Sequence, residues 1–375
     1  MHAVLCKHLE DLHHALDPDL VDIALKTDRK FVAARIGAVL GDRERRRLFM
    51  EQKDDRAQSL LNLMQSLLDG ASLELSNLRP SFITALIQLS RNSGLYPERL
   101  LIKDVTIQDK FASANGRYGD VYEGKLGGRT VAVKTMRGCG FDTDAAMKQI
   151  KAFAKEAVLW AQLSSPYVLP FYGVYPINAN ADRLGLISPW MKNGNLTQYL
   201  DKTPPIDRLS LIKDIALGLN YLHSFDPQVI HGDLKGPNIL ITDDHRACVA
   251  DFGLCLLTQN SAFQVTMTNS SNDRGTFYWM APELLNDEEE CVCKNCATDV
   301  YAFGCVSYEI FNGQPPFFDL RPNKARIAIK ESRVPPRPTH RDLDDTLWML
   351  ILRCLHRDPS SRPSMSEVSQ QLSTR

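Results

Sequence analysis

Two stretches in the first hundred residues repeat apolar side chains at the spacing of one helix face. The first runs from Leu60 to Leu68 and stops before Gly70, and glycine is typical of the position just after a helix. The second begins at Phe82 and stops by Gly94. Only 3 of the 20 prolines and 4 of the 21 glycines precede residue 101. This pattern predicts a helical region over residues 1–103.

Beyond about residue 104 the apolar pattern changes to short runs that suit β-strands. Val131–Lys134 reads as an alternating apolar strand that ends by presenting one lysine. Two further runs, Ile239–Ile241 and Ala247–Ala250, are separated by the turn-like Thr242–His245 and predict a β-hairpin. A helical repeat over residues 145–163 has a single acidic residue inside its apolar face, Glu156. The second part of the chain is therefore predicted to mix helices and strands.

Three polar residues beside the predicted hairpin carry candidate chemistry. Asp233 and Asn238 precede its first strand, and Asp251 follows its second strand, so all three are expected at one end of a small sheet. A carboxylate can hold an attacking hydroxyl, while an amide oxygen and a second carboxylate can hold a divalent metal ion. The spacing suits phosphoryl transfer.

The stretch His231–Asn238, which reads HGDLKGPN, and the following Asp251–Gly253 together resemble the catalytic loop and metal-binding motif of eukaryotic protein kinases. The resemblance implies an α+β bilobal fold over residues 104–375, preceded by the α-helical N-terminal region. The N-lobe, about 104–190, would be an antiparallel sheet with one main helix. The C-lobe, about 191–375, would be mainly helical.

The same resemblance implies where ATP would bind. The stretch from Ala114 to Val121 resembles the glycine-rich loop, although Ala114 stands where the family has its first glycine. Pro189 replaces the usual acidic residue at the hinge, but its carbonyl group is retained. The residues implied to line the ATP site are Ala114, Gly116, Gly119, Val121, Ala132, Lys134, Ser188 and Met191.

The catalytic roles follow from the resemblance as well. Asp233 would orient the substrate hydroxyl and accept its proton, and Lys235 and Lys134 would supply fixed positive charge, with Glu156 holding Lys134. Asn238 and Asp251 would hold Mg²⁺, so the implied cofactors are ATP and Mg²⁺.

Further motifs in the family's order support the C-lobe reading. Glu283 is expected to pair with Arg362, and Asp299 is expected to accept backbone N–H groups of the catalytic loop. Gly232 replaces the arginine that most family members carry before the catalytic aspartate, so activity is not expected to depend on a phosphorylated activation loop in the usual way. Whether the hydroxyl residues of Thr258–Ser271 are regulatory stays open.

The substrate class is predicted from Lys235 and Thr276, which are typical of Ser/Thr-directed kinases. Other motifs, such as Tyr278–Glu283 and Asp299–Gly304, favour the tyrosine-kinase-like group. The sequences of these motifs resemble those of kinases from mushroom-forming fungi. A protein substrate is therefore expected. Ala114, Pro189 and Gly232 leave open a pseudokinase, which would be an ATP-binding scaffold, and a small-molecule kinase of similar fold is a further alternative.

Composition limits the remaining possibilities. The formal net charge is −1 with a pI near 6.8, so nothing favours nucleic acid or an anionic membrane as a partner, and no apolar run approaches the length of a membrane span. The N-terminus does not resemble a signal peptide, and nine scattered cysteines favour reduced thiols in the cytoplasm, with the nucleus as a second possibility.

Two regions have no assigned role from their residues. Cys291, Cys293 and Cys296 fit a zinc site, a redox-sensitive cluster or a passive surface insertion, and a structural zinc site usually needs a fourth ligand. The N-terminal His2, Cys6, His8, His13 and His14 raise the same question. Residues 1–103 fit a module for an unknown partner, an oligomerisation element or a brace on the small lobe.

Overall fold

A computed structural model of the chain describes residues 18–70, 77–107, 114–116, 119–135, 143–177, 183–202, 206–257, 276–285 and 293–375. The chain divides into two compact units, Met1–Arg99 and Leu100–Arg375. Each unit buries apolar side chains of its own. The domain boundary predicted at residue 104 stays a prediction.

The described part of the first unit is helical. Its helices are α1 (Pro18–Gly41), α2 (Arg43–Met50), α3 (Asp54–Asp69) and α4 (Arg79–Ser93). The α4 helix ends at Gly94, whose φ of 77° is a left-handed conformation that glycine adopts without steric cost. Both predicted stripes are therefore helices, and the second begins a few residues earlier than its apolar pattern.

The core of this unit lies between α3 and α4, which pack against each other. Leu61 and Met64 of α3 and Ile83 and Leu86 of α4 are fully buried. Their spacing of three residues places each pair on one helix face, so the two stripes face each other and exclude water.

The second unit begins with an antiparallel sheet in the order β1-β3-β4-β6-β5, with β2 paired to β3. The strands are β1 (Val105–Ile107), β2 (Ala114–Gly116), β3 (Gly119–Leu126), β4 (Arg129–Thr135), β5 (Gly173–Pro176) and β6 (Leu184–Pro189). One long helix, α5 (Thr143–Trp160), accompanies this sheet. It starts two residues before the predicted repeat and ends three residues before that repeat does.

Strand β4 shows how the sequence pattern positions the site. Val131 and Val133 are fully buried in a cluster with Val105 and Ile187. Because successive side chains of a strand point to opposite faces, Lys134 lies on the face away from this cluster. The alternation of apolar and polar residues therefore presents one lysine from a well-packed strand.

The rest of the second unit is mainly helical. Its helices are α6 (Leu196–Lys202), α7 (Arg208–Ser224), α8 (Cys296–Asn312), α9 (Pro322–Lys330), α10 (Asp345–Cys354) and α11 (Met365–Ser373). The strands are β7 (Val229–Ile230), β8 (Ile239–Ile241), β9 (Ala247–Val249) and β10 (Leu256–Leu257). This arrangement is the predicted α+β bilobal fold with helices before it. Among the described residues, no helix is both long and apolar enough to cross a bilayer.

The predicted hairpin is confirmed. Strands β8 and β9 pair in antiparallel fashion, with Ile239 opposite Val249 and Ile241 opposite Ala247. Ala250 follows the strand rather than belonging to it, and its N–H donates to the carbonyl oxygen of Asn238 at 2.9 Å. The hairpin thus brings the segments that contain Asn238 and Asp251 together, as the apolar runs predicted.

Candidate active site

The catalytic-loop segment follows β7 and ends in a short 3₁₀ turn at Gly236–Asn238. Asp233 Oδ2 accepts hydrogen bonds from Lys235 Nζ at 2.7 Å and from Asn238 Nδ2 at 3.0 Å. The Asp233 side chain is only 4% exposed, so these are charge-assisted contacts shielded from water. The carboxylate is held in one orientation by two donors from its own loop.

Asn238 is oriented by the same contacts. Its amide nitrogen also donates to the carbonyl oxygen of Asp233 at 2.8 Å. Because both acceptors belong to Asp233, the amide nitrogen must face the loop, and the amide oxygen faces the other way. An amide oxygen at Asn238 and a carboxylate at Asp251 form a hard oxygen donor set of the kind that Mg²⁺ prefers. The residues present therefore fit a magnesium ion.

Lys134 of β4 forms ion pairs with Glu156 of α5 and with Asp251, which follows the β8–β9 hairpin. Its Nζ lies 2.8 Å from Glu156 Oε1 and 2.7 Å from Asp251 Oδ1. Burial alone would lower the pKa of Lys134, but the two carboxylates outweigh it and raise that pKa above its ordinary value. Burial would likewise raise the pKa of Asp251, yet the nearby ammonium group holds it low. The predicted Lys134–Glu156 pair is present, and it extends to Asp251.

Asp251 has an unusual backbone conformation that is stabilised by its neighbour. Its φ is 68°, in a region where non-glycine residues are uncommon and are often held in place at functional sites. Phe252 is fully buried, with its ring centroid 5.6 Å from that of Trp160 and 5.9 Å from that of His231. With Phe252 fixed in the core, Asp251 is directed toward Lys134.

The residues predicted around ATP lie on neighbouring strands. Gly116 pairs with Gly119 where β2 and β3 meet, and Val121 lies opposite Lys134. Ala132 lies opposite Ser188, which is buried, and β6 ends just before the hinge residue Met191. Ala114, the substituted first glycine, opens β2. The fold thus gathers this set along β2, β3, β4 and β6.

Asp299, near the start of α8, anchors the catalytic loop by accepting hydrogen bonds from its backbone. Its Oδ2 accepts the His231 N–H and its Oδ1 accepts the Gly232 N–H, both at 2.8 Å, as the sequence predicted. Oδ2 also lies 3.0 Å from His223 Nε2. Burial would lower the pKa of His223, but its hydrogen bonds to Asp299 and Cys296 raise that pKa to about 9. A protonated His223 therefore balances the buried carboxylate.

The predicted pair between Glu283 and Arg362 is also present. Two guanidinium nitrogens of Arg362 donate to the two carboxylate oxygens of Glu283, at 2.7 and 2.8 Å. The Arg362 side chain is fully buried, and it also donates to the carbonyl oxygens of His356 and Ala297. This bidentate contact ties the segment around Ala281–Glu283 to the C-terminal part of the chain.

Several supporting residues were not found from the sequence. Lys155 Nζ donates to the carbonyl oxygen of Cys255 at 2.5 Å, which joins α5 to the segment after Asp251. Glu309 accepts hydrogen bonds from Thr197 Oγ1 at 3.0 Å and Trp279 Nε1 at 2.9 Å. An acidic residue within an otherwise apolar helix is the sequence signal that could have identified Glu309.

Some predictions concern residues outside the described part of the chain. Thr258–Ser271, Cys291 and the five N-terminal His and Cys residues belong to this group. Cys296 forms no disulfide bond. Within the described ranges, no three His, Cys, Asp or Glu side chains come together so that they could hold a metal ion. The three readings of the cysteine cluster stay predictions.

Known proteins resemble this chain over the second unit. Residues 107–372 match the family described as "Protein tyrosine and serine/threonine kinase". Dual specificity protein kinase shkC of Dictyostelium discoideum is 32% identical over 264 residues, which are 68% of this chain and 49% of that protein. Serine/threonine-protein kinase CTR1 of Arabidopsis thaliana is 30% identical over 72% of this chain and 31% of its own length.

A third relative, serine/threonine/tyrosine-protein kinase HT1 of Arabidopsis thaliana, is 33% identical over 71% of this chain and 65% of its own length. The chain therefore spans less than two thirds of each of these relatives. The family match over residues 107–372 includes the site described above.

Proposed function

Because the chain belongs to the protein tyrosine and serine/threonine kinase family, we propose that it transfers the γ-phosphoryl group of Mg-ATP to serine and threonine hydroxyls of protein substrates. One observation carries the proposal: Lys134 bridges Glu156 and Asp251, while Lys235 contacts Asp233. A chain that kept the fold without the reaction would have no use for this set of paired charges, because withdrawing charges from water is costly.

Asp233 is proposed to orient the attacking hydroxyl and to accept its proton. One of its oxygens is engaged by Lys235 and Asn238, which fixes the direction of the carboxylate. Catalysis of phosphoryl transfer is mostly positioning and charge stabilisation, so a fixed carboxylate is what the reaction requires. Lys235 adds positive charge close to the reacting groups.

Lys134 is proposed to contact the ATP phosphates, with Glu156 as its positioning residue. The ammonium group is already held between two carboxylates, so little ordering is needed when ATP binds. Asn238 and Asp251 are proposed to hold Mg²⁺, which would neutralise charge on the phosphates. Ala114, Gly116, Gly119, Val121, Ala132, Ser188 and Met191 are proposed to line the nucleotide site.

Serine and threonine are the proposed acceptors because of Lys235. Its Nζ lies 2.7 Å from Asp233 and 3.4 Å from Thr276 Oγ1, so it links the catalytic loop to the end of the activation segment. Two of the relatives are named as dual-specificity or serine/threonine/tyrosine kinases, so tyrosine is the acceptor to test against.

The remaining assignments are proposals of the same kind. The motifs support membership of the tyrosine-kinase-like group, and the HGDLKGPN loop supports kinship with kinases of mushroom-forming fungi. Residues 1–103 are proposed to form an accessory helical region with a partner still to be found. The buried cysteines Cys248, Cys255, Cys305 and Cys354 form no disulfide bond, which supports a reducing compartment, the cytoplasm or the nucleus.

The proposal is tested by incubating the purified chain with labelled Mg-ATP and a generic basic protein, followed by phosphoamino-acid analysis. We expect label on phosphoserine and phosphothreonine, and none when Mg²⁺ is chelated. Label on phosphotyrosine would overturn the role given to Lys235. Tight ATP binding with no transfer to any substrate would favour the scaffold alternative.

A further inference from the structure

A buried lysine outside the family motifs lies against the catalytic loop. Lys294 belongs to the short segment that precedes α8, and the whole residue is only 9% exposed. Its Nζ donates a hydrogen bond to the carbonyl oxygen of Gly232. Lysine is rarely buried unless its charge is compensated, so this contact requires a reason.

Both backbone polar groups of Gly232, its N–H and its carbonyl oxygen, are hydrogen-bonded. Its N–H donates to Asp299 Oδ1 at 2.8 Å, and its carbonyl oxygen accepts from Lys294. Asp233 follows directly in the chain. The two contacts therefore fix the orientation of the peptide that leads into Asp233, and with it the position of the Asp233 side chain.

The absence of a side chain at Gly232 makes room for Lys294. The φ of Gly232 is 74°, a left-handed conformation that other residues rarely adopt. A Cβ atom at this position would lie 3.1 Å from Lys294 Cδ, 3.2 Å from the Leu254 carbonyl oxygen and 3.8 Å from Lys294 Nζ. The lysine thus places its charge next to the space where a side chain of residue 232 would begin.

Burial outweighs the charges around Lys294, so the pKa of its ammonium group is lowered from the ordinary value. Burial lowers the pKa of Lys294, while the carboxylates of Asp233 and Asp299 oppose that effect and Lys235 adds to it. Asp299 is shared with the protonated His223, and Asp233 is shared with Lys235, so both carboxylates near Lys294 also serve a second cation.

We propose that Lys294 is a positioning residue for phosphoryl transfer: from a segment distant in sequence, its hydrogen bond fixes the Gly232 peptide that leads into Asp233. The proposal rests on the proposed kinase function and deepens it. It assigns a catalytic-loop anchor that works without a charged side chain at position 232.

The test compares wild type with Lys294→Met and Lys294→Gln, neither of which carries a charge. Lys324→Met is the matched control, since Lys324 is exposed on α9. We expect both Lys294 variants to lower kcat about tenfold or more, by analogy with lost electrostatic stabilisation. The dissociation constant for ATP should change by less than about twofold, since Lys294 contacts the catalytic loop and is none of the residues proposed to line the nucleotide site.

Hydrogen–deuterium exchange of the catalytic-loop peptide is measured on the same proteins. We expect exchange at residues 231–234 to accelerate about tenfold in Lys294→Met and to be unchanged in Lys324→Met. This readout does not depend on turnover. It therefore separates failure of this proposal from failure of the kinase assignment, which would appear as a wild type that transfers no phosphoryl group.

Three results would overturn the proposal. The first is a wild-type kcat in a folded Lys294→Met or Lys294→Gln variant. The second is a parallel loss of kcat, ATP affinity and thermal midpoint, because that result assigns Lys294 a role only in stability. The third is unchanged exchange of the loop in Lys294→Met.

Discussion

Two charged side chains of the site, those of Lys134 and Asp233, are each held by more than one partner. Lys134 lies between Glu156 and Asp251, and Asp233 is held by Lys235 and Asn238. A side chain with two partners has little conformational freedom left to lose when substrate arrives. The site is therefore ordered before the nucleotide binds.

At the same scale, Glu309 predicts a pH dependence of stability. Burial raises the pKa of its carboxyl group to about 7, against the hydrogen bonds from Trp279 and Thr197. Between its ordinary pKa of 4.5 and about 7, the folded protein keeps a proton that the unfolded chain has released. This group therefore makes the free energy of unfolding fall as pH rises through that window.

We expect Glu309→Gln to remove this slope, which corresponds to a change on the order of 2–3 kcal/mol between pH 4.5 and 7. Urea unfolding at pH 5 and pH 7.5 measures it in the two proteins. Asp344 is the control residue. Its hydrogen bonds with Arg375 and Leu347 lower the pKa of its carboxyl group, so its contribution to the free energy of unfolding is lost only at a pH below this window. An equal slope in wild type and Glu309→Gln would show that Glu309 does not carry the effect.

At the scale of elements, the buried pair between Arg362 and Glu283 joins the short 3₁₀ turn after the activation segment to the segment before α11. Arg362→Met leaves Glu283 without its bidentate partner, and breaking a buried pair in this way costs about 3–5 kcal/mol. We expect a loss of that size in the free energy of unfolding, measured by urea titration.

The surface pair between Arg337 and Asp345 provides the control for this prediction. Its side chains are 39% and 91% exposed, so Arg337→Met should cost no more than about 1 kcal/mol. Similar losses in the two variants would contradict the assignment of the Arg362 pair as a principal link between these elements.

Elements governed by local patterns were predictable from sequence. Apolar alternation identified β4 and its terminal Lys134, helical spacing identified α5 and its Glu156, and the two short runs identified the β8–β9 hairpin. Family motifs supplied the partners Glu283 with Arg362 and Asp299 with the catalytic loop. In each case the pattern lies within one element or one motif of known order.

Contacts set by tertiary packing were not predictable in this way. Lys294 meets Gly232 across 62 residues, and Lys155 meets Cys255 across 100 residues. Neither lysine differs in its local pattern from a solvated one, and only the fold decides that Lys294 is buried. Helix ends also shifted by a few residues, since capping and packing rather than the apolar stripe decide where a helix stops.

At the scale of the whole molecule, the chain consists of two compact units, each of which buries apolar side chains. All site residues discussed above belong to Leu100–Arg375. Because this unit buries its own core, we expect residues 100–375 to fold when produced alone and to retain a phosphoryl-transfer rate within about threefold of the full chain. Thermal unfolding and initial rates of both proteins measure this.

A folded but inactive unit would contradict that prediction. It would instead assign residues 1–99 a direct role in activity, such as the brace on the small lobe considered from the sequence. An unfolded unit would show that the two parts fold together.

The proposed role of Asp233, to orient the attacking hydroxyl and accept its proton, is tested by comparing three proteins. Transfer from Mg-ATP to a protein substrate is measured for wild type, Asp233→Asn and Asp243→Asn, together with ATP affinity. Asp243 is the control because it is exposed, in the turn of the β8–β9 hairpin, where it pairs with Lys192. We predict a loss of about 10²–10³-fold or more in kcat for Asp233→Asn alone, with ATP affinity retained. Wild-type turnover by a folded Asp233→Asn protein would contradict the role proposed for Asp233.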